Sequence, residues 1–230
     1  MEEREAILYE EPFEYVRRYV QPKRAGNKRA AYRERWWIHG EARPEMRAAL
    51  AKRDRYVATA RVAKHRMFVW FPPENLPDCQ LIVFARDDDF FLGMLHSCFH
   101  ELWSRRVGTQ LREKESGFRY TPSTCFETFP FPWAPTTPLG KLTRAQEEQR
   151  TAIAQAARTL DGQRREWLGD QSDPKRTLTA LYNARPAWLT NAHAALDEAV
   201  AAAYGWPADL PDDEVITRLL ALNQVRAPSR

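Results

Sequence analysis

The sequence FRYTPSTCFETFPFPW, residues Phe118–Trp133, is the stretch around which we expect the rest of the chain to fold. Pro122, Pro130 and Pro132 each remove a backbone donor and push the preceding residue toward extended geometry. Five large aromatic side chains are interleaved with them, at positions 120, 126, 129, 131 and 133, and such rings are normally buried. The pattern therefore predicts an extended strap, neither a regular helix nor a central strand, across a core made by other elements.

A polar segment, Gly108–Gly117, leads into this strap and contains residue types that read the edges of DNA bases. Arginine pairs with guanine, glutamine with adenine, and glutamate accepts from cytosine. A surface loop has the same composition, but loops held by a fixed scaffold often carry function. The side chains that we predict to contact bases are Gln110, Arg112, Glu113, Lys114 and Arg119.

Positive charge is concentrated in the N-terminal part of the chain. Arg17–Arg66 holds sixteen Lys and Arg residues against four Asp and Glu, a net charge of +12, whereas the whole chain carries +4. This excess, interleaved with aromatic residues, favours a polyanionic partner over a basic surface without one. From residue 139 onward the two signs balance at twelve each, so we expect the C-terminal helices to be a support or partner surface rather than a DNA groove.

Two basic clusters are candidates for contacts with the phosphate backbone of DNA, since such contacts release condensed counterions. One cluster lies in a predicted loop over 21–31, and the other lies in the connection between two strands predicted within 55–71. For each cluster, solvated charges on an ordinary loop or hairpin are the alternative. The predicted backbone contacts are Arg24, Lys28, Arg29, Arg61, Lys64, His65 and Arg66.

Hydrophobic patterning predicts an α+β fold, with a mixed or antiparallel sheet, a long packed helix and a mostly helical C-terminal region. We expect helices over 1–20, 44–53 and 90–107 and in four segments after Thr143. Strands are expected over 32–39, over 55–71 as a pair with a tight connection near Ala63–Lys64, and over 79–86. The predicted domains are 1–135 and 143–230, joined by a proline-rich linker over 136–142.

Recognisable catalytic motifs are missing from the sequence. It has no GxGxxG opening a helix after a strand, no P-loop and no supported Ser-His-Asp or Cys-His arrangement. His96 and His100 are four residues apart on one predicted helix face, but no further ligand has a recognisable spacing, so we expect packing histidines rather than a metal site. We predict that this chain alone has no catalytic, metal-binding or cofactor-binding residue.

The cysteine count and the hydropathy indicate the cellular compartment in which the protein functions. Cys79, Cys98 and Cys125 are odd in number and form no CxxC, which argues against a disulfide framework and favours a reducing, cytoplasmic setting. No apolar run approaches the length that spans a bilayer, so no membrane partner is expected.

Three stretches resemble the C-terminal part of the MmeI-like DNA adenine methyltransferases, which are single-chain type IIG restriction–modification enzymes and related defence methylases. They are YVATARVAKHRMFVWF at 56–71, RYTPSTCFETFPFPW at 119–133, and the helical stretch from LTALYN to LLALN at 178–223. The Phe-Pro-Phe-Pro strap and the AYGWP helix end are the most specific parts. The resemblance implies that 1–135 is a DNA target-recognition domain and that 143–230 is the C-terminal helical region.

The resemblance further implies a function in which this chain positions double-stranded DNA for adenine-N6 methylation. S-adenosylmethionine would be held by a catalytic domain, upstream in the same polypeptide or in a separate chain, because the methylase motifs are absent here. One alternative is a stand-alone DNA-binding or specificity subunit that delivers DNA to a partner. Another is a nuclease with an unrecognised site that uses Asp87, Asp89 and Glu113.

Overall fold

The computed structural model describes residues 1–41, 43–110, 117–169 and 173–226, with only the backbone described at Gln110. These residues divide into two compact units, Met1–Ala49 and Leu50–Arg230. Runs of helices and small antiparallel sheets combine in an α+β arrangement, as the hydrophobic patterning predicts. No helix in the described parts of the chain is both long enough and apolar enough to cross a bilayer.

The first unit consists of short helices. They are α1 (Glu3–Ala6), α2 (Glu10–Tyr19), α3 (Gln21–Ala25) and α4 (Ala30–Glu34), followed by α5 (Pro44–Leu50), which extends to the first residue of the second unit. The predicted helix over 44–53 is confirmed at Pro44–Leu50, and the predicted helix over 1–20 is present as two pieces. The segment 21–31, predicted as a loop, contains the short helix α3. Pro22 is compatible with this helix because it lies in the first turn, where proline is favoured.

The strand predicted over 32–39 is wrong, because this segment is the end of α4 followed by turns. Trp36 is buried and its ring packs 5.2 Å from that of Phe13. The guanidinium of Arg24 donates to the carbonyl oxygens of Trp36, at 3.0 Å, and of Ile38. These carbonyls are therefore satisfied by a side chain instead of a neighbouring strand.

The second unit begins with a three-stranded antiparallel sheet in the order β3-β1-β4, formed by β1 (Tyr56–Ala60), β3 (Val69–Phe71) and β4 (Leu81–Phe84). Ala58 in the central strand pairs with Val69 on one side and Val83 on the other. The predicted strands within 55–71 and 79–86 are confirmed. The predicted tight connection near Ala63–Lys64 is wrong, because 61–68 separate β1 from β3 and include a strand of a second sheet.

The second sheet is small and has the order β2-β6-β5, with β2 at Val62–Ala63, β5 at Thr109–Gln110 and β6 at Phe118–Arg119. All of its pairings are antiparallel. The start of the strap is therefore the central strand of this sheet, contrary to the expectation that the strap contains no central strand.

Two helices replace the single helix predicted over 90–107. Helix α6 (Asp89–His96) and helix α7 (Cys98–Val107) are separated by Ser97, whose backbone is extended and whose hydroxyl accepts the His100 N–H at 3.4 Å. Serine is a favourable N-cap, so a new helix starts without any proline or glycine to mark the break. Residues 90–96 of α6 are all buried, which makes this helix the centre of the core.

The strap packs against α6 as expected. Tyr120, Cys125, Phe129, Phe131 and Trp133 are buried, and a single π-helical turn at Pro122–Phe126 interrupts the strap. Trp133 stacks on Phe90 and Phe131 stacks on Phe91 of α6, with 5.7 and 6.3 Å between ring centroids. Phe129 packs against His100 of α7, so the strap covers both helices.

The C-terminal helices are α8 (Arg144–Leu168), α9 (Leu178–Ala184), α10 (Ala187–Tyr204) and α11 (Asp212–Arg226), after a short 3-10 turn at Leu139–Lys141. Thr143 caps α8 in a capping box with Gln146. Helix α8 lies so close to α6 that a Cβ on Gly93 would be 2.8 Å from Ile153 Cγ2.

The predicted division at 136–142 stays a prediction. Residues 143–169 and 173–226 share their core with the sheet and α6 and lie with them in the compact unit Leu50–Arg230. Arg164 of α8 shows the connection most directly: it is 2% exposed and donates to the Phe68 carbonyl oxygen at 3.2 Å. The functional labels given to the two predicted domains stay predictions.

Candidate nucleic-acid interface

The small sheet brings part of the predicted base-reading segment beside part of the predicted phosphate-binding segment. Arg119 in the central strand β6 pairs with Val62 on one side and Thr109 on the other. All three are exposed to solvent, and cross-strand partners project to the same side of a sheet. We call this side the outer face and the side of the buried Phe118 the inner face.

Gly117 allows β6 to approach β2. Its backbone has a φ of 83°, and a Cβ at this position would be 1.9 Å from the carbonyl oxygen of Ala63. Only glycine adopts such a conformation at little cost and also leaves space for the neighbouring backbone. The outer face therefore depends on this residue.

Arg66 is enclosed on the inner face and is 5% exposed. Its guanidinium donates to Thr59 Oγ1 at 3.1 Å, to the Phe118 carbonyl oxygen at 3.0 Å and to the Ala60 carbonyl oxygen. It also lies over the rings of Phe118, at 4.7 Å, and Tyr120, at 5.1 Å. Burial lowers the pKa of Arg66 to about 10.

The predicted phosphate contact at Arg66 is therefore corrected. Its donors are directed to carbonyl oxygens inside the protein, and a buried guanidinium in this position joins the segment after β1 to β6. A surface phosphate has no access to it in this structure.

Lys64 and His65 point to helix α9. The amide oxygen of Asn183 lies 3.0 Å from Lys64 Nζ and 2.8 Å from His65 Nε2. Lys64 is exposed and His65 is half-buried. The structure thus places two of the predicted phosphate contacts next to a residue of the C-terminal helical region that the sequence patterns do not single out.

Arg61 is half-buried between the two sheets. Its backbone N–H donates to the Gln80 carbonyl oxygen at 2.7 Å, and its carbonyl oxygen accepts from the Tyr120 N–H at 2.8 Å. Its Nε is enclosed without a hydrogen-bond partner among the described residues. Arg61 therefore has a structural part in joining the sheets, and its contact with a phosphate stays a prediction.

The predicted contacts in the first unit differ in exposure. Lys28 and Arg29 are exposed, and the Arg29 guanidinium lies 5.6 Å from the Tyr32 ring centroid. Arg24 is half-buried and directs its Nη1 at two carbonyl oxygens of the same unit. Lys28 and Arg29 are thus the better placed of the three for an external anion.

Three of the five predicted base-reading residues, Arg112, Glu113 and Lys114, lie outside the described residues. Gln110 is described only through its backbone, which pairs with Phe118. Arg119 is exposed at the centre of the outer face. The geometry therefore places one described side chain of this group on an accessible surface.

His96 and His100 are buried and form hydrogen bonds inside the core. His96 Nε2 lies near the backbone of Phe68 and 2.8 Å from Arg164 Nη1, and His100 Nε2 lies 3.0 Å from the Tyr120 hydroxyl. Burial lowers the pKa of both, to about 3 for His100. Within the described ranges no three His, Cys, Asp or Glu side chains are grouped as metal ligands.

The carboxylates of the nuclease alternative are paired with arginines. Asp87 lies 3.4 Å from Arg53, and Asp89 lies 2.7 Å from Arg55 and 3.2 Å from Arg158. Glu113, the third member, lies outside the described residues. Carboxylates neutralised in this way are poorly prepared to bind Mg²⁺, which prefers free carboxylate and water oxygens.

Comparison with known proteins gives one structural likeness. No family model matches the sequence, and no curated protein matches it. A solved structure of the Type IIL restriction–modification enzyme MmeI in complex with DNA is similar to this chain, with a TM-score of 0.68 and 22% sequence identity. The likeness covers 90% of this chain and 25% of that one, so this chain spans about a quarter of its length and shares the fold of a region of MmeI.

Proposed function

We propose that this chain is the DNA target-recognition part of an S-adenosylmethionine-dependent adenine-N6 DNA methyltransferase of a restriction–modification or related defence system. The observation that carries the proposal is the fold likeness, over 90% of the chain, to an enzyme solved with DNA. The exposed Arg119 in the β2-β6-β5 sheet and the exposed Lys64 just after β2 add chemical support, because exposed cations held by a fixed scaffold are suited to bind DNA.

In this proposal the outer face and the segment 111–116 contact base edges. Arg119 projects from the centre of the sheet, where both neighbouring strands fix its backbone. A base contact requires such rigidity, since one good bidentate pair contributes about 1–3 kcal/mol of discrimination. Arg112, Glu113, Lys114 and Gln110 remain the proposed partners of Arg119 in direct readout.

Phosphate contacts set the register of the duplex without reading its sequence. Lys64 and Arg61 of the second unit, with His65 beside them, and Lys28 and Arg29 of the first unit are the proposed contacts. The proposal assigns S-adenosylmethionine and the methyl transfer to a catalytic region outside these residues, so none of them has a catalytic role.

Binding of the purified chain to a short fluorescein-labelled duplex, followed by fluorescence anisotropy, tests the proposal. We expect affinity to fall steeply between about 50 and 200 mM salt, and Lys64→Ala to lower the slope of log affinity against log salt by about one. Arg144→Ala is the matched control, because this arginine is exposed on α8 and paired with Glu148. A wild-type chain that does not bind duplex DNA at low salt would refute the proposal.

Mapping of methylated adenines in cells that express the gene tests the recognition role separately. Exchange of residues 109–119 for a different sequence of equal length should change or abolish the methylated site. An unchanged methylated sequence would assign recognition to another part of the protein.

A further inference from the structure

The end of helix α9 lies against the basic connection that follows β2. The Asn183 amide oxygen lies within hydrogen-bond distance of both Lys64 Nζ and His65 Nε2, 119 and 118 residues away along the chain. The His65 ring also packs against Tyr182, with 5.9 Å between ring centroids. An amide oxygen only accepts, so both Lys64 and His65 donate to it and their side chains are held in one direction.

Arg185 ends the same helix with a left-handed backbone, at φ 41° and ψ 61°. This conformation is costly for a residue with a Cβ. Helices α8 and α10 end instead on glycines at positive φ, Gly169 and Gly205. A glycine at position 185 would remove the strain, so what an arginine adds at this position is its guanidinium.

The Arg185 side chain is exposed and forms no ion pair with any carboxylate that the structure describes. It lines a small polar cleft together with His65, His193 and Asp197. Asp197 accepts the Cys98 backbone N–H at 2.7 Å, so this carboxylate is hydrogen-bonded to the first turn of α7. Burial raises the pKa of Asp197, and the nearby charge of Arg185 acts in the opposite direction without forming an ion pair. The exposed guanidinium therefore keeps its N–H donors for an anion from outside.

We propose that Arg185 and Lys64 bind one stretch of the DNA phosphate backbone, and that Asn183, braced by His65, is a positioning residue for Lys64. This inference rests on the proposed function. It extends the DNA-binding surface into the C-terminal helical region, which the balanced charge of the sequence predicts to be a support or partner surface. A planar guanidinium binds phosphate in a bidentate manner, and the ammonium of Lys64 keeps two of its three N–H groups for the same anion.

Replacement of Arg185 by glycine separates binding from stability. We expect Arg185→Gly to keep or raise the melting temperature, because the strained backbone is relieved. The same change should weaken binding of a labelled duplex about three- to tenfold at low salt and lower the salt slope by about one. Arg185→Gln should weaken binding by a similar factor, and Arg144→Ala should leave affinity and slope unchanged.

A double-mutant cycle tests the part of Asn183. Asn183→Ala should weaken duplex binding in the wild-type background, and the loss should largely disappear in the Lys64→Ala background, since the two residues act through one contact. Equal losses in both backgrounds would contradict the positioning role of Asn183.

The outcomes distinguish this inference from the function on which it rests. If the wild-type chain binds duplex DNA but Arg185→Gly and Arg185→Gln keep its affinity and salt slope, the inference is wrong and the proposed function stands. If the wild-type chain does not bind duplex DNA, both are wrong. If the glycine variant fails to fold, the glutamine variant decides.

Discussion

Cations in and next to the β2-β6-β5 sheet lie in opposite environments. Arg66 is 5% exposed and donates to carbonyl oxygens of the protein. Lys64, two residues earlier, is exposed, and so is Arg119 on the neighbouring strand. The comparison shows that a basic run identified by charge alone contains both a structural cation and candidates for DNA contact.

The difference arises beyond the strand. Strand β2 ends at Ala63, and in the segment that follows Arg66 turns inward to donate to the Ala60 and Phe118 carbonyl oxygens, whereas Lys64 reaches Asn183 of helix α9. Arg66 reaches the ring of Phe118 from the inner side, whereas Arg119 points away from it. We therefore expect substitutions on the inner face to change stability and substitutions on the outer face to change DNA binding.

The largest effect is expected from Arg66→Ala. The change leaves the buried carbonyl oxygens of Ala60 and Phe118 without a donor and opens a cavity between two aromatic rings, which should cost about 2–4 kcal/mol of stability. Urea unfolding measures this loss. A loss below about 0.5 kcal/mol would show that Arg66 is not a structural cation and would remove the contrast between the faces.

Gly117→Ala is expected to damage both faces at once. The added Cβ would collide with the Ala63 carbonyl oxygen in a backbone conformation unfavourable for alanine, at a cost of about 1–3 kcal/mol. Since β2 and β6 would separate, both stability and duplex affinity should fall. Gly162→Ala is the control, because a Cβ there would meet nothing within 4 Å. Equal behaviour of the two variants would contradict the close approach of β6 to β2.

Acid should destabilise the folded core. The pKa of His100 is lowered to about 3 and that of His193 to about 4, mainly by burial. The unfolded chain therefore binds protons first as pH falls through about 6.5, and each of the two histidines should cost about 1 kcal/mol per pH unit below that value. Asp197 acts in the opposite sense between about pH 4 and 6, because burial raises its pKa to about 6.

Denaturant unfolding at neutral pH and at about pH 5.5 measures this dependence. We expect lower stability at the acidic value, and a shallower dependence on pH in His100→Gln, which removes one titrating group. A stability that does not fall on acidification, or a slope unchanged in His100→Gln, would contradict a buried neutral His100.

The smallest effect on stability is expected from Arg119→Ala on the outer face. The side chain is exposed, so unfolding free energy should change by less than about 0.5 kcal/mol. Duplex binding should nevertheless weaken severalfold, as the loss of a charged hydrogen bond predicts. A stability loss as large as that of Arg66→Ala would show that the two faces do not differ.

Much of the core could be predicted from the sequence, because it depends on local composition. The aromatic strap, the capped start at Thr143 and the strands around β1 all follow from residue types that bury or pair in one way. The break at Ser97 was not predicted, although serine is a favoured N-cap, because the apolar spacing of three and four residues continues across it. The strand over 32–39 was predicted wrongly because its bulky residues suit a strand. Trp36 is instead buried in a turn against Phe13 of helix α2, and the spacing of apolar residues in the sequence does not reveal that contact.

The candidate site was less predictable because its partners are distant in sequence. Nothing in the run RVAKHR distinguishes Arg66 from Lys64, and only the fold shows that Arg66 donates to carbonyl oxygens in the core while Lys64 reaches helix α9. Asn183 belongs to a neutral helical region, and its contact with Lys64 appears only in the fold. Charge counting thus locates a basic region but does not show which of its residues are structural and which are exposed for contact with DNA.

Photo-cross-linking of a thiothymidine-containing duplex to the purified chain, with the attached peptides identified by mass spectrometry, tests the central claim most directly. The account predicts cross-links in peptides that contain residues 61–65 and 117–119. Cross-links confined to the exposed side of α8, with none to these two segments, would contradict it.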